Sequence, residues 1–216
     1  MESEKPLEIH SSVLSEYTEL LDVVFRMYIE DINPFIVRFE ISKGEFPAEI
    51  QNEIRAIYGH LIRASMADSP EQIQRNIEKM KSHSKRALLD CFKYTSILCS
   101  DNYDGFMKRY ENIDLTYLEN GKFLPDVVMK CKNARDALKK AKIAETSNIS
   151  EDDLFSLYQD AYRQFEDLDT KIQETEESAA FLQHKASKKD VVSKVSLWAG
   201  IAGLIVGVIG IMINFI

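Results

Sequence analysis

The feature that most restricts the fold is an apolar segment at the C-terminal end of the sequence. Residues 195–216 contain no ionisable side chain, and a helix of that length, at about 1.5 Å per residue, crosses a hydrocarbon layer of about 30 Å. The alternative is a helix buried in a soluble core, but such a helix normally keeps a polar face, which this segment lacks. The sequence therefore predicts a single transmembrane helix.

A cluster of lysines precedes this segment, and we call it the basic collar: Lys185, Lys188, Lys189 and Lys194. It lies where the positive-inside rule places the cytoplasmic flank of a membrane span. The first residues are polar and lack the apolar core of a secretory signal. We expect a single-pass membrane protein with a cytoplasmic N-terminal domain, inserted after synthesis as tail-anchored proteins are, and located in the inner membrane if the organism is bacterial.

Charge and cysteine content argue against several classes of binding site. The net charge of −8 belongs to the part outside the apolar segment, which argues against general nucleic-acid binding because that needs a surplus of Lys and Arg. The three cysteines have no CxxC spacing, and His83 with Cys91 lacks further ligands at metal spacing. We therefore expect buried thiols, no metal and no cofactor. The expected partners are the lipid bilayer, further copies of the chain and a cytoplasmic protein.

Hydrophobic periodicity predicts an all-α protein, a helical bundle of four or five helices with a long C-terminal helix continuing into the membrane. Residues 1–149 form the cytoplasmic bundle, residues 150–190 form an amphipathic heptad helix that packs on the bundle or self-associates, and residues 191–216 form the anchor. Ser69 and Ser150 are expected N-caps. Asn120-Gly121 is a hairpin-turn signal, so we expect a loop or a small hairpin there.

The last helix carries one apolar heptad pattern that keeps its phase. Its first part, the soluble seam, consists of Leu154, Tyr158, Ala161, Phe165, Leu168 and Ile172. The same alternating steps of four and three continue into the apolar segment and give an association face: Ser196, Gly200, Gly203, Gly207, Gly210 and Asn214. Glycines at this spacing let membrane helices approach closely. We expect self-association through this face; the alternative is a chance run of glycines.

One hexapeptide is similar to a catalytic motif. Arg55 and His60 have the R-x4-H spacing found in the all-helical HEPN ribonucleases. The resemblance implies a membrane-bound ribonuclease in which these two residues are catalytic. On a helix a five-residue step leaves the starting face, so the pair needs a dimer partner to meet. A structural arginine and a satisfied histidine are the alternative. No phosphate loop or hydrolase motif supports another enzyme class.

Three functions therefore remain open at the sequence level. The first is a membrane-disrupting effector, activated when the tails assemble, with an architecture like that of small effectors of bacterial anti-phage (antiviral) defence. The second is a tether or scaffold that recruits a cytoplasmic partner and resembles SNARE-type tail-anchored proteins in layout, without a central polar layer. The HEPN-like ribonuclease is the third.

Overall fold

The computed structural model describes the backbone of residues 17–214 and the side chains of residues 17–188 and of Ser196. Within that part every regular element is a helix, which confirms the all-α expectation, although six α-helices are present where four or five were expected. The elements are α1 (Thr18–Arg26), a π-helical segment (Met27–Ile32), α2 (Asn33–Lys43), α3 (Ala48–Ser65), α4 (Pro70–Arg109), a 3-10 segment (Leu115–Gly121), α5 (Phe123–Glu145) and α6 (Glu151–Asn214).

Local sequence explains where several helices begin and end. The Ser69 hydroxyl accepts a hydrogen bond from the Gln72 backbone N–H at 3.3 Å, and Pro70 occupies the first turn of α4. The Ser150 hydroxyl accepts from the Asp153 N–H at 3.1 Å at the start of α6. Both serines satisfy an amide that has no partner inside the helix. Gly44, with φ of 69°, ends α2 in a left-handed conformation that glycine adopts without a Cβ clash.

The two longest helices run parallel and in constant register. Four side-chain contacts join residues of α4 and α6 that are each 67 positions apart: Lys85 with Asp152, Cys99 with Glu166, Asn102 with Asp169, and Arg109 with Glu176. Equal separations mean that the two helices advance side by side without slipping. Since Lys85 already lies beside the start of α6, the first fifteen residues of α4 extend beyond it.

The core divides into three regions along this axis, and the middle one is formed by Ile32, Ile50, Leu88, Phe92 and Tyr158. Around α4, α5 and α6 lies a core with the fully buried side chains of Phe123, Phe165 and Leu168. Beyond the start of α6, α1 and α3 pack on the first part of α4 through residues such as Val24, Ala64 and Met80. We call α1, the π-helical segment, α3 and this part of α4 the distal lobe. Most of it lies beyond the start of α6, while the π-helical segment and the start of α3 lie beside α6.

The hairpin expected near Asn120-Gly121 is wrong. These residues lie in the 3-10 segment, where Glu119, Asn120 and Gly121 all have positive φ. Leu115 and Leu118 are buried against the α4–α6 core instead of pairing with a second strand. The backbone at Leu118, Glu119 and Asn120 is not helical, so a tight loop held by the two buried leucines takes the place of an isolated hairpin, which would be marginal in water.

Helix α6 is one unbroken helix of 64 residues, about 96 Å long at 1.5 Å per residue. The expected anchor, residues 191–216, lies outside the described side chains except for Ser196, which is exposed. Among the residues whose side chains the structure describes, no helix has a run both long and apolar enough to cross a bilayer.

Candidate functional site

The centre of the body holds a polar network that joins α2 to α4 and α6. The Asp169 carboxylate is 2% exposed and accepts from Arg38 Nη2 at 2.8 Å, Asn102 Nδ2 at 2.9 Å and Gln173 Nε2 at 2.5 Å. Arg38 also pairs with Glu166. Burial works most strongly against the Arg38 charge, but the hydrogen bond to Glu166 and the nearby charges of Glu166 and Asp169 together outweigh it and raise the pKa of Arg38. Every strong donor and acceptor here is satisfied, which indicates a structural network.

A cleft of about 450 Å³ opens beside this network, between the π-helical segment and α6. Its wall carries both signs of charge, with Glu30 and Asp31 on one side and Arg38 and Arg163 on the other. Burial, followed by the neighbouring Glu30, raises the pKa of Asp31. In the part of the chain that the structure describes, no three His, Cys, Asp or Glu side chains are placed to hold a metal ion. The cleft therefore offers no arrangement that we can assign to a reaction.

The three cysteines are free thiols inside the body. Burial raises the pKa of Cys91, and it raises the pKa of Cys99 to about 12. A thiol is nucleophilic as the thiolate, so these groups are poor nucleophiles at neutral pH. Their positions fit the expectation that they fill the core.

Arg55 and His60 both lie on α3 but have different surroundings. Arg55 is exposed, whereas His60 is 8% exposed. His60 Nδ1 lies 2.9 Å from Asn76 Oδ1 and 3.2 Å from Arg63 Nη2, and its ring stacks on His83 with centroids 5.3 Å apart. These contacts join α3 to α4. The chain by itself does not bring Arg55 to His60, so the ribonuclease hypothesis still depends on a second copy.

The soluble seam packs within its own chain. Five of its six residues are buried against α4 and α5, and Leu154 is half-buried. Tyr158 also donates a hydrogen bond to Glu145 of α5 at 2.6 Å. These side chains are therefore not available to a second copy.

Apart from the exposed Ser196, the association face lies outside the described side chains, and so does half of the basic collar. Gly200, Gly203, Gly207, Gly210 and Asn214 belong to the described backbone of α6 only, as do Lys189 and Lys194. Lys185 and Lys188 are exposed. The last described contact between α6 and the body is the hydrogen bond from Gln183 Nε2 to the Arg109 carbonyl oxygen, at 3.0 Å.

The sequence analysis missed an apolar groove on the distal lobe. It is lined by Val24, Phe25, Tyr28, Ile29, Ile54, Ile57, Tyr58 and Leu61 and has a volume of about 270 Å³. Phe25 is 44% exposed, Ile29 64% and Tyr58 63%. A signal was present: the apolar stripes of α1 and α3 are wider than one buried face needs, since Phe25 and Ile29, and Tyr58 and Ile62, repeat at i and i+4 beside the core positions.

Comparison with protein-family models found no match. Searches of curated proteins and of solved structures found no similar protein either. The function must therefore be inferred from the residues and their geometry.

Proposed function

We propose that the chain is a single-pass membrane protein that acts as a scaffold or tether: helix α6 anchors it through residues 191–216 and holds the helical body in the cytoplasm. The observation that carries the proposal is the continuity of α6. One helix forms the centre of the body, carries the basic collar and includes the apolar segment, without a glycine or proline between Ser150 and Gly200.

The length of α6 gives this arrangement its dimensions. From the last body contact at Gln183 to residue 195, where the apolar segment begins, twelve residues cover about 18 Å. The basic collar falls within and beside this stalk, where its charges favour the cytoplasmic side of an anionic membrane surface. An uninterrupted helix keeps the body at a fixed height, which suits a scaffold better than a flexible linker would.

Liposome flotation tests the proposal. We expect the full-length chain, made in the presence of anionic liposomes, to float with them and to resist extraction by high salt and alkaline carbonate. A variant with Leu204→Arg and Ile205→Arg should stay at the bottom of the gradient, because each arginine at a helix centre costs about 3 kcal/mol of insertion free energy.

The matched control carries Ile143→Arg and Val128→Arg, two exposed positions of the body on α5. It should float like the unaltered chain. Flotation of the variant with arginines at residues 204 and 205, or loss of the unaltered chain on salt extraction, would overturn membrane anchoring through this segment.

A membrane-disrupting effector is the second candidate, favoured by the spacing of the glycines on the association face. Assembly of the tails through Gly203 and Gly207 would then disturb the bilayer. Expression should depolarise the cell, and the double substitution Gly203→Leu with Gly207→Leu should abolish depolarisation without loss of the protein from the membrane. A normal membrane potential at full expression speaks against the effector and leaves the scaffold.

A further inference from the structure

We propose that the groove of the distal lobe is the contact surface for a second copy of the chain, so that α1 and α3 of two copies form a four-helix bundle above the membrane. This inference rests on the proposed membrane anchoring, and it deepens that proposal by naming the partner of the body. It concerns a surface separate from the association face of the tail.

The groove exposes a contiguous apolar surface near the upper end of what a solitary domain carries. At roughly 200 Å² for a whole aromatic side chain, the exposed fractions of Phe25, Tyr28 and Tyr58 amount to roughly 300 Å². Ile29 and Ile62, 64% and 52% exposed, extend the patch to roughly 500 Å², at the upper end of the patches that monomers carry. Two such patches bury about 1,000 Å², which is the lower limit for a specific interface.

The directions of the helices favour a second copy. The contacts of Glu53 with His83 and of His60 with Asn76 show that α3 runs antiparallel to α4. Tyr17 contacts Pro70 and Lys43 contacts Asp101, so α1 and α2 run in the same direction as α4 and therefore opposite to α3. A two-fold axis along the helices then places α1 of one copy beside α3 of the other. All four neighbouring pairs are antiparallel, which is the usual arrangement of a four-helix bundle.

Anchoring in one membrane brings the two grooves to the same height. The middle of the groove lies near the level of Met80 in α4, which corresponds through the constant register to the start of α6. From there to residue 195 the distance is about 70 Å along the helix axis. The lipid surface is out of reach at that height, whereas a second copy held by the same bilayer presents its groove at the same level and in high local concentration.

Cysteine cross-linking in liposomes tests this arrangement with full-length protein. One population carries Phe25→Cys and the other carries Tyr58→Cys, and they are reconstituted together at low density and treated with a short bis-maleimide. The chain's own cysteines are buried thiols and should react slowly. We expect a cross-linked dimer that contains one copy of each population. Copies with Ile143→Cys, at an exposed apolar position of α5 that is 58% exposed, should give none.

A second pair of variants separates specific pairing from collision. Adding Ile29→Glu and Ile62→Glu to both populations should reduce cross-linking by about tenfold or more, because carboxylates must then be buried in an apolar interface. Adding Ile143→Glu should change nothing. All variants are exposed-site changes, and circular dichroism checks that the helical signal is kept.

The cross-linking and flotation experiments distinguish failure of the second-copy proposal from failure of membrane anchoring. If the protein floats with the liposomes but no 25-to-58 dimer forms, the second copy is rejected as the occupant while membrane anchoring stands. The same holds if the dimer persists when glutamates replace Ile29 and Ile62. Capture of a different protein by the groove, with the chain itself monomeric in the membrane, would also overturn the proposal. If the protein does not float, membrane anchoring fails first.

Discussion

Cys91 and Cys99 show how burial of a single side chain governs behaviour with pH. Both thiols lie in the core between α4 and its neighbours and are neutral in the folded protein. Burial disfavours the thiolate and raises both pKa values, that of Cys99 to about 12. In the unfolded chain a thiol ionises near pH 8.5. The stability that these thiols contribute is therefore fully present below about pH 8.5 and is lost as the pH rises toward the folded pKa.

From this we predict that the free energy of unfolding falls between about pH 8 and pH 9.5, below the range in which tyrosines ionise. The slope approaches 1.4 kcal/mol per pH unit for each thiol, roughly, once the unfolded chain is ionised. Urea unfolding in detergent micelles at several pH values measures it. The double variant Cys91→Ala with Cys99→Ala should be less stable at neutral pH but lose most of this slope, because of the three thiols it keeps only Cys131, whose pKa burial also raises. An equal slope in the double variant would contradict the assignment.

At the scale of the elements, Arg38 fastens α2 to the α4–α6 pair. Its guanidinium is the only described side chain of α2 that pairs with carboxylates of α6, Glu166 and the buried Asp169. Breaking a buried pair from one side leaves the other charge poorly compensated. Asp169 keeps its hydrogen bonds from Asn102 and Gln173, which limits the loss.

We predict that Arg38→Met lowers the free energy of unfolding by about 2–4 kcal/mol. The matched control is Arg26→Met, since Arg26 also contacts two carboxylates but is 64% exposed, and such pairs are worth about 0–1 kcal/mol. Urea unfolding followed by circular dichroism compares the two variants. If both substitutions cost the same, the network around Asp169 is not what holds α2.

The elements also show what sequence can and cannot predict. The caps at Ser69 and Ser150 and the heptad pattern after Leu154 depend on neighbouring residues, and the structure has helices where these signals stand. Whether an apolar helix face packs within the chain or contacts a partner depends on residues that are distant in sequence. The sequence of the soluble seam was equally compatible with self-association and with packing on the bundle. In the structure the seam is buried against α4 and α5, so it packs on the bundle.

The groove could be predicted only in part, because the wide apolar stripes of α1 and α3 are visible in the sequence but whether a neighbour covers them is not. Phe25 and Tyr58 look like ordinary core residues in a periodic stripe, and only the separation of α1 from α3 in space leaves them exposed. The constant register between α4 and α6 is likewise a property of two helices together. The hairpin prediction at Asn120 was wrong because it used local residues only. Leu115 and Leu118 are buried against residues of α6 that are distant in sequence, and this burial outweighs the local turn signal.

For the whole molecule, a rigid α6 couples the direction of the tail to the direction of the groove. We predict that one alanine inserted after Lys188, which turns the body about 100° relative to the tail, abolishes the 25-to-58 cross-link when the tails are paired. Seven inserted residues turn it by only about 20° and raise the body about 10 Å, so the cross-link should persist. Equal cross-linking of the two insertions would show that the body rotates independently of the tail.

The parallel register of α4 and α6 has a mechanical consequence. From Lys85 onward α4 packs against α6. Before Lys85, the distal lobe is held by α4 and the short helices around it. The distal lobe is therefore supported at one end only. A force applied to it should bend the molecule near the start of α6, and amide protons of the distal lobe should exchange with solvent first. A partner bound to the distal lobe can therefore turn the long helices, while the core around α4, α5 and α6 keeps its shape.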